Sequence, residues 1–190
     1  MRTRTIKMRP VIGLALVALL AATIAAWAAR RTKIVVEAEH FYSIKKSMTL
    51  GTDQKASGGK YVYIPLKRPH GENESGPYDT GNAVYKVKIP TAGIYRLWAR
   101  TKWYDSCGNS FFVIVDDKHK SWIGEDGTYQ RWHWVRGKTY QLSAGVHTFR
   151  FQNREDGAKL DQFLLTSDLR YVPTRAETET LQYVIRPPKK

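Results

Sequence analysis

The chain has 190 residues, 42% of them hydrophobic, a formal net charge of +14 and a single cysteine. That length bounds it to one domain of ordinary size with short tails, and a lone cysteine excludes any intramolecular disulfide, so stability rests on a packed core, with or without a metal. The positive balance points to anionic partners such as acidic polysaccharide, envelope polymer or a membrane surface, although basic residues spread along the chain fit plain solubility equally well.

The chain opens on Arg2, Arg4, Lys7 and Arg9, followed by an uncharged apolar run from Val11 to Ala29 with a small-residue site at Ala26-Trp27-Ala28. A basic start, an apolar middle and a small-residue site are the parts of an export signal. A run of about 19 apolar residues is also just long enough to cross a bilayer uncleaved. Residues 1–28 therefore read as a signal peptide or a membrane anchor, and both place the chain from Arg30 onward outside the cytoplasm, secreted or in the cell envelope. Export argues against nucleic acid as a partner, and a membrane is touched only through the N-terminal segment if it stays uncleaved.

Beyond it, alternation and turn signals predict short strands at Ile34–Glu39, Lys60–Pro65, Ala83–Ile89, Ile94–Thr101, Phe111–Val115, Gln130–Val135, Lys138–Leu142, Val146–Gln152 and Leu160–Thr166. Ser57-Gly58-Gly59, Thr91-Ala92-Gly93, Asp116-Asp117 and Asp156-Gly157 punctuate them, and Pro69 to Gly81 reads as a long surface loop. Many short strands at such spacing, with no long amphipathic helix, predict an all-β sandwich or barrel over residues 32–170. Residues 171–190, which include Pro187-Pro188, read as a loose C-terminal tail.

Catalytic signatures are missing. No Gly-x-Ser-x-Gly, phosphate loop or His-Glu-x-x-His occurs, and His40, His70, His119, His133 and His147 have no ligand spacing. Glu125 and Asp126 adjoin on a turn, where adjacent carboxylates are ordinarily solvated, so an enzyme is not expected. Cys107 sits beside Gly108 and Asn109 in a turn and reads as a structural thiol or an interchain link.

Period two puts Glu37 and Glu39 on one face of the first strand, where they repel unless a cation separates them. Calcium, which takes about six to eight oxygen ligands, would resolve that conflict, with Asp161 on the last strand as a third carboxylate. The alternative is that all three are exposed edge charges. Tyr61, Tyr63, Trp103, Tyr104, Trp122, Tyr129, Trp132 and Trp134 gather near predicted loops and strand ends, where flat rings either stack on a sugar or fill the core.

Val36-Glu37-Ala38-Glu39, Ala56-Ser57-Gly58-Gly59-Lys60-Tyr61-Val62-Tyr63-Ile64, Ala92-Gly93-Ile94-Tyr95-Arg96-Leu97, Gly127-Thr128-Tyr129-Gln130-Arg131-Trp132, Leu142-Ser143-Ala144-Gly145-Val146-His147-Thr148 and Leu160-Asp161-Gln162-Phe163 follow one another in this order. As an ordered set they resemble carbohydrate-binding modules of families six and thirty-five. The resemblance implies a galactose-binding-like β-jelly-roll that binds polysaccharide without cleaving it. It implies a structural calcium on Glu37, Glu39 and Asp161, completed by backbone carbonyls near Lys60. It implies a sugar gripped by Tyr63 and by Tyr129 or Trp132. The family's sugar-bonding Asn falls at Lys159, which donates but cannot accept, so either an acidic glycan is met there or the sugar site is lost and the fold serves as a spacer or protein-contact module. Trp103 and Asn109 are expected on the same binding rim. The rival reading is a structural or protein-interaction module, with an envelope or matrix protein as partner.

Overall fold

The computed structural model describes residues 31–66 and 81–188. The export segment, and the expected loop from Pro69 as far as residue 80, lie outside these residues. Contacts divide the chain into Met1–Arg31 and Thr32–Lys190, and the second unit is the fold described below.

It is all-β, as expected. Its strands are β1 (Lys33–Glu37), β2 (Ser43–Lys45), β3 (Thr49–Thr52), β4 (Lys60–Tyr63), β5 (Asn82–Ile89), β6 (Gly93–Lys102), β7 (Ser110–Val115), β8 (His119–Gly124), β9 (His133–Leu142), β10 (Gly145–Gln152), β11 (Lys159–Thr166) and β12 (Val184–Ile185). Short 3₁₀ turns occupy Ala38–His40, Ser57–Gly59 and Leu181–Tyr183. Sheet 1 runs β3-β4-β11-β6-β9 with β1 also on β11, and sheet 2 runs β12-β5-β10-β7-β8 with β2 also on β5. Every pairing is antiparallel. β1 meets β11 from Lys33↔Thr166 to Glu37↔Gln162, and β4 meets it at Lys159↔Tyr63 and Leu160↔Val62, so β1 and β4 lie end to end along one edge of β11.

Alternation sends one set of side chains between the sheets. Val36, Val62, Leu97, Phe149, Phe151 and Phe163 belong to this core, where Phe163 lies 5.3 Å from Phe151 and 4.9 Å from Tyr85 between ring centres. Aromatic contacts of this kind contribute about 0.5–1.5 kcal/mol each beyond buried area.

Three features depart from the sequence reading. Gln130–Val135 and Lys138–Leu142 are not two strands: β9 runs unbroken from His133 to Leu142 and absorbs an irregularity opposite Arg96–Trp98. A β-bulge keeps a strand continuous while adding a residue, which sequence alternation registers as a break. β2, β3 and β8 carry too few apolar residues to signal themselves, and they form because neighbouring strands complete their ladders. The C-terminal segment is no loose tail as far as residue 188. Thr180 N–H donates to Val35 O at 3.0 Å, and β12 pairs with β5 at Val184↔Val87.

That returning segment closes over part of the outer face of sheet 1. Val35, Trp98 and Leu164 form a second apolar cluster there, with Trp134 and Tyr171 packed on it. Trp134 Nε1 donates to Arg175 O at 2.8 Å, and Gln162 Nε2 donates to Glu177 O at 2.6 Å. Among the described residues no helix is long and apolar enough to cross a membrane.

Candidate functional site

The rest of the outer face of sheet 1 carries aromatic and charged side chains. Tyr61 and Tyr63 alternate on β4 with the core residues Val62 and Ile64, so both rings point outward. Their centroids lie 5.5 Å apart, and the Trp132 ring meets Tyr61 edge-on at 5.6 Å. Tyr61 lies across from Gly51 in the β3–β4 register, and a Cβ on Gly51 would stand 2.4 Å from the Tyr61 ring. Only glycine leaves that ring its place.

Cations surround these rings. β11 brings Lys159 between Tyr63 on β4 and Lys102 on β6. Lys159 Nζ is 5.3 Å from the centre of Tyr61, Lys102 Nζ is 5.9 Å from that of Trp132, and the Arg100 guanidinium is 5.6 Å from Trp132. Asp53 binds the cluster together, accepting from Trp132 Nε1 at 3.0 Å and from Lys102 Nζ at 3.2 Å. Burial, then the Lys102 charge, push the Lys159 ammonium below its ordinary pKa, against a smaller opposing effect of Asp53. Lys159 forms no ion pair among the described residues. Ring faces beside desolvated ammonium groups can stack on an apolar sugar face while meeting an anionic substituent.

The fold thus brings Tyr63, Trp132 and Lys159 together and adds Tyr61, Lys102, Asp53 and Arg100. Alternation along β6 contains the signal for Arg100 and Lys102, which share an outward face. Asp53 follows a strand that carries no sequence signal. Tyr129 is 38% exposed but makes no ring contact with this cluster; its backbone bridges Trp103. Two expected rim residues are instead internal. Trp103 is fully buried, stacked 5.7 Å from Phe111, with Nε1 donating to Asp126 Oδ1 at 3.0 Å. Asn109 is 5% exposed, its amide donates to Ser106 O at 2.9 Å, and its Oδ1 is enclosed without a partner. Trp103 belongs to the core through the area its ring buries, and Asn109 is held inside by hydrogen bonds, its backbone N–H also donating to Glu155 Oε2 at 3.0 Å.

Glu125 and Asp126 are likewise committed. Glu125 pairs with Arg154 at 2.7 Å, while Asp126 also accepts from His133 Nε2 at 2.8 Å and from Thr128 N–H at 3.2 Å.

The acidic trio lies at the seam between the covered and open parts of the face. β1 ends at Glu37 and Glu39 sits in the following 3₁₀ turn, so strand periodicity does not relate them; both lie instead near the Ser57–Gly59 turn. Glu37 Oε1 accepts from Ser57 Oγ and from Gln162 Nε2, each at 2.7 Å, and its Oε2 is buried without a partner. Glu39 Oε2 is also buried and unpartnered. Gly58 takes φ 62°, and a Cβ there would lie 2.6 Å from Glu39 Oε1. Burial raises both carboxyls above their ordinary range. These two orphaned oxygens fit a hard cation. Asp161 fits less well: it is fully buried, Ser57 N–H donates to Oδ1 at 2.8 Å and Arg100 holds Oδ2. Burial, only partly offset by Arg100, pushes its pKa up to about 7. Among the described residues no three His, Cys, Asp or Glu side chains close into a metal-binding group.

No protein-family profile matches the chain. An uncharacterized protein of Formosa agariphila is 29% identical over 116 residues, an alignment covering 47% of this chain and 26% of that protein, so the chain spans about a quarter of its relative. Solved structures share the fold. The C-terminal family 6 module of a laminarinase from the marine bacterium Zobellia galactanivorans matches with TM-score 0.54 at 16% identity, over 72% of this chain and 100% of that one. A family 35 module from Clostridium thermocellum matches with TM-score 0.54 at 19% identity, over 70% and 98%. A family 6 module of Cellvibrio mixtus lichenase 5A, solved with cellotriose, matches with TM-score 0.53 at 21% identity, over 70% and 95%. A mannanase from Podospora anserina carrying a family 35 module is also similar, with TM-score 0.56 at 17% identity, over 74% of this chain and 29% of that one. The sandwich is that of carbohydrate-binding modules of families 6 and 35.

Proposed function

We propose that this domain binds polysaccharide without cleaving it, on the open part of the outer face of sheet 1. One observation carries the reading: three rings, Tyr61, Tyr63 and Trp132, meet on one face around Lys159, whose ammonium is desolvated and without an ion pair among the described residues. A pyranose lies against the rings, and Lys159 with Lys102 turns a carboxylate or sulfate on that sugar into an advantage. Acidic glycans are therefore the preferred class.

A non-catalytic role agrees with the engagement of Glu125 and Asp126 in internal bonds and with the binding modules among the proteins of like fold. Calcium would be held through the free oxygens of Glu37 and Glu39, bracing the seam beside the glycan face. The basic, apolar and small-residue pattern of residues 1–28 supports a secreted or cell-envelope location.

The test is a glycan array probed with the full-length protein in calcium and again in chelator, beside Tyr63→Ala and Trp132→Ala. Binding to one sugar class that both substitutions remove is the expected result. A folded, calcium-loaded protein that binds no glycan but assembles with rising concentration would replace this reading with the structural, protein-contact one.

A further inference from the structure

β9 is one edge strand of sheet 1 and β8 one edge strand of sheet 2, and they pack against each other along one side of the sandwich, where Ser121 Oγ lies 2.8 Å from the Tyr140 hydroxyl. Two concavities of about 440 and about 410 Å³ lie along it and share Lys138 and Thr139. They form one groove, lined by Arg96, Arg136, Lys138, Lys118, Lys120 and Trp122 among others, with no acidic side chain in the lining. None of its lysines and arginines forms an ion pair among the described residues.

The side chains are set for an external anion. Arg96 reaches the irregular stretch of β9 and donates from Nη1 to Gly137 O at 3.4 Å, while its Nε–H is enclosed without a partner. Burial and the neighbouring Arg136 charge both work against the Arg96 cation. Two like charges so close are relieved by an oxyanion, and planar guanidinium suits sulfate and carboxylate geometry. Farther along, Lys120 Nζ lies 4.0 Å from the centre of the Phe112 ring. Trp122 is 51% exposed and lines the groove, with the Arg154 guanidinium 5.9 Å from its ring centre. From His119 to Trp122 β8 extends about 10 Å at ~3.3 Å per residue, room for consecutive units of a polymer rather than one small ion.

We propose that this groove binds a linear acidic polysaccharide, with Arg96, Arg136, Lys138 and Lys120 meeting its sulfate or carboxylate groups and Trp122 stacking on one sugar ring. The inference rests on the glycan-binding reading above and adds a second place of contact, on a different side of the sandwich. A single exposed ring suits a chain carrying its charge on sugars; single-stranded nucleic acid draws on successive aromatic faces.

Calorimetric titration of the full-length protein with dextran sulfate, polygalacturonate, uncharged dextran and single-stranded DNA tests this, with dextran sulfate and polygalacturonate separating sulfate from carboxylate recognition. The expected result is binding to at least one acidic polysaccharide and none to dextran. The triple substitution Arg96→Gln, Arg136→Gln, Lys138→Gln should weaken it about tenfold, since exposed charges each contribute at most ~1 kcal/mol. Lys138→Gln alone, on an exposed edge position, should weaken it about twofold to threefold and covers the case of a triple variant that fails to fold. The face proposed above also takes acidic glycans, so each titration is repeated in a Tyr63→Ala, Trp132→Ala background, where the binding that remains belongs to the groove and is the part the triple substitution removes. Acidic-glycan binding that survives the triple substitution in that background, in a folded protein, overturns the proposal, as does equal affinity for single-stranded DNA.

Discussion

The outer face of sheet 1 has two parts built on the same strands, and they have opposite fates. In one, Val35, Trp98 and Leu164 present an apolar patch that the C-terminal segment covers with Tyr171. In the other, Tyr63, Trp132, Lys102 and Lys159 stay partly exposed around the buried Tyr61 ring. β6 supplies Trp98 to the first and Lys102 to the second; β11 supplies Leu164 and then Lys159. An apolar patch is driven to find cover, whereas rings interleaved with ammonium groups can remain at the surface. The seam is marked by Gln162, which bonds Glu37 on one side and Glu177 of the returning segment on the other.

The largest contrast is expected from two tryptophans. Trp98→Ala should cost about 3 kcal/mol in urea unfolding, as a large buried side chain leaving a cavity, and leave the array specificity intact in the folded fraction. Trp132→Ala should cost about 1 kcal/mol or less but lower glycan affinity by on the order of 2 kcal/mol, as for an aromatic anchor. Equal stability losses would erase the distinction between the two parts of the face.

Calcium at the seam should be the next largest effect. At about a hundredfold excess over its Kd, one bound ion adds ~2.7 kcal/mol, so chelator should lower the melting temperature, and Glu39→Gln should abolish that response. A melting temperature indifferent to chelator would leave the seam to the Arg100–Asp161 pair and the nearby His40.

Replacing Gln162 by Leu should cost about 1–3 kcal/mol, because Glu37 Oε1 and the Glu177 backbone lose buried partners. Hydrogen exchange at Thr180 N–H would report release of the covering segment. Retained protection would mean that the apolar patch alone holds it.

The smallest effect is a pH dependence of that cover. Burial raises the Glu177 carboxyl, but hydrogen bonds from Lys33 and Tyr171 outweigh it and hold the pKa below 4.5. A depressed carboxylate contributes stability present above its unfolded pKa and lost as pH falls through the folded value. The segment should therefore stay closed above pH 4.5 and loosen below it, read as a change in tryptophan fluorescence from Trp98 and Trp134. Glu177→Gln should flatten that profile.

Much of the sandwich was legible because its central strands alternate strongly: β5, β6, β10 and β11 match their predicted spans to within a residue or two. β3 and β8 were not, since edge strands owe their form to a partner's ladder more than to their own pattern. Tyr63, Trp132 and Lys159, which the fold brings together, were singled out by resemblance. Trp103 and Asn109 were misplaced because an aromatic or amide residue beside a turn looks the same in sequence whether its side chain points inward or out.

The sequence by itself determined the class of fold, the strand order's punctuation and the residue types available for chemistry, because alternation and turn formation are local. Only the tertiary structure decided which of those residues meet. Tyr63 and Lys159 lie far apart in sequence and become neighbours through the β4–β11 register, and Asp161 is turned toward Arg100 by burial beneath the same sheet face. Long-range pairing also drew the C-terminal segment across Trp98 and left Trp132 open. Which part of an aromatic face is covered depends on where the chain returns, and no local pattern encodes that.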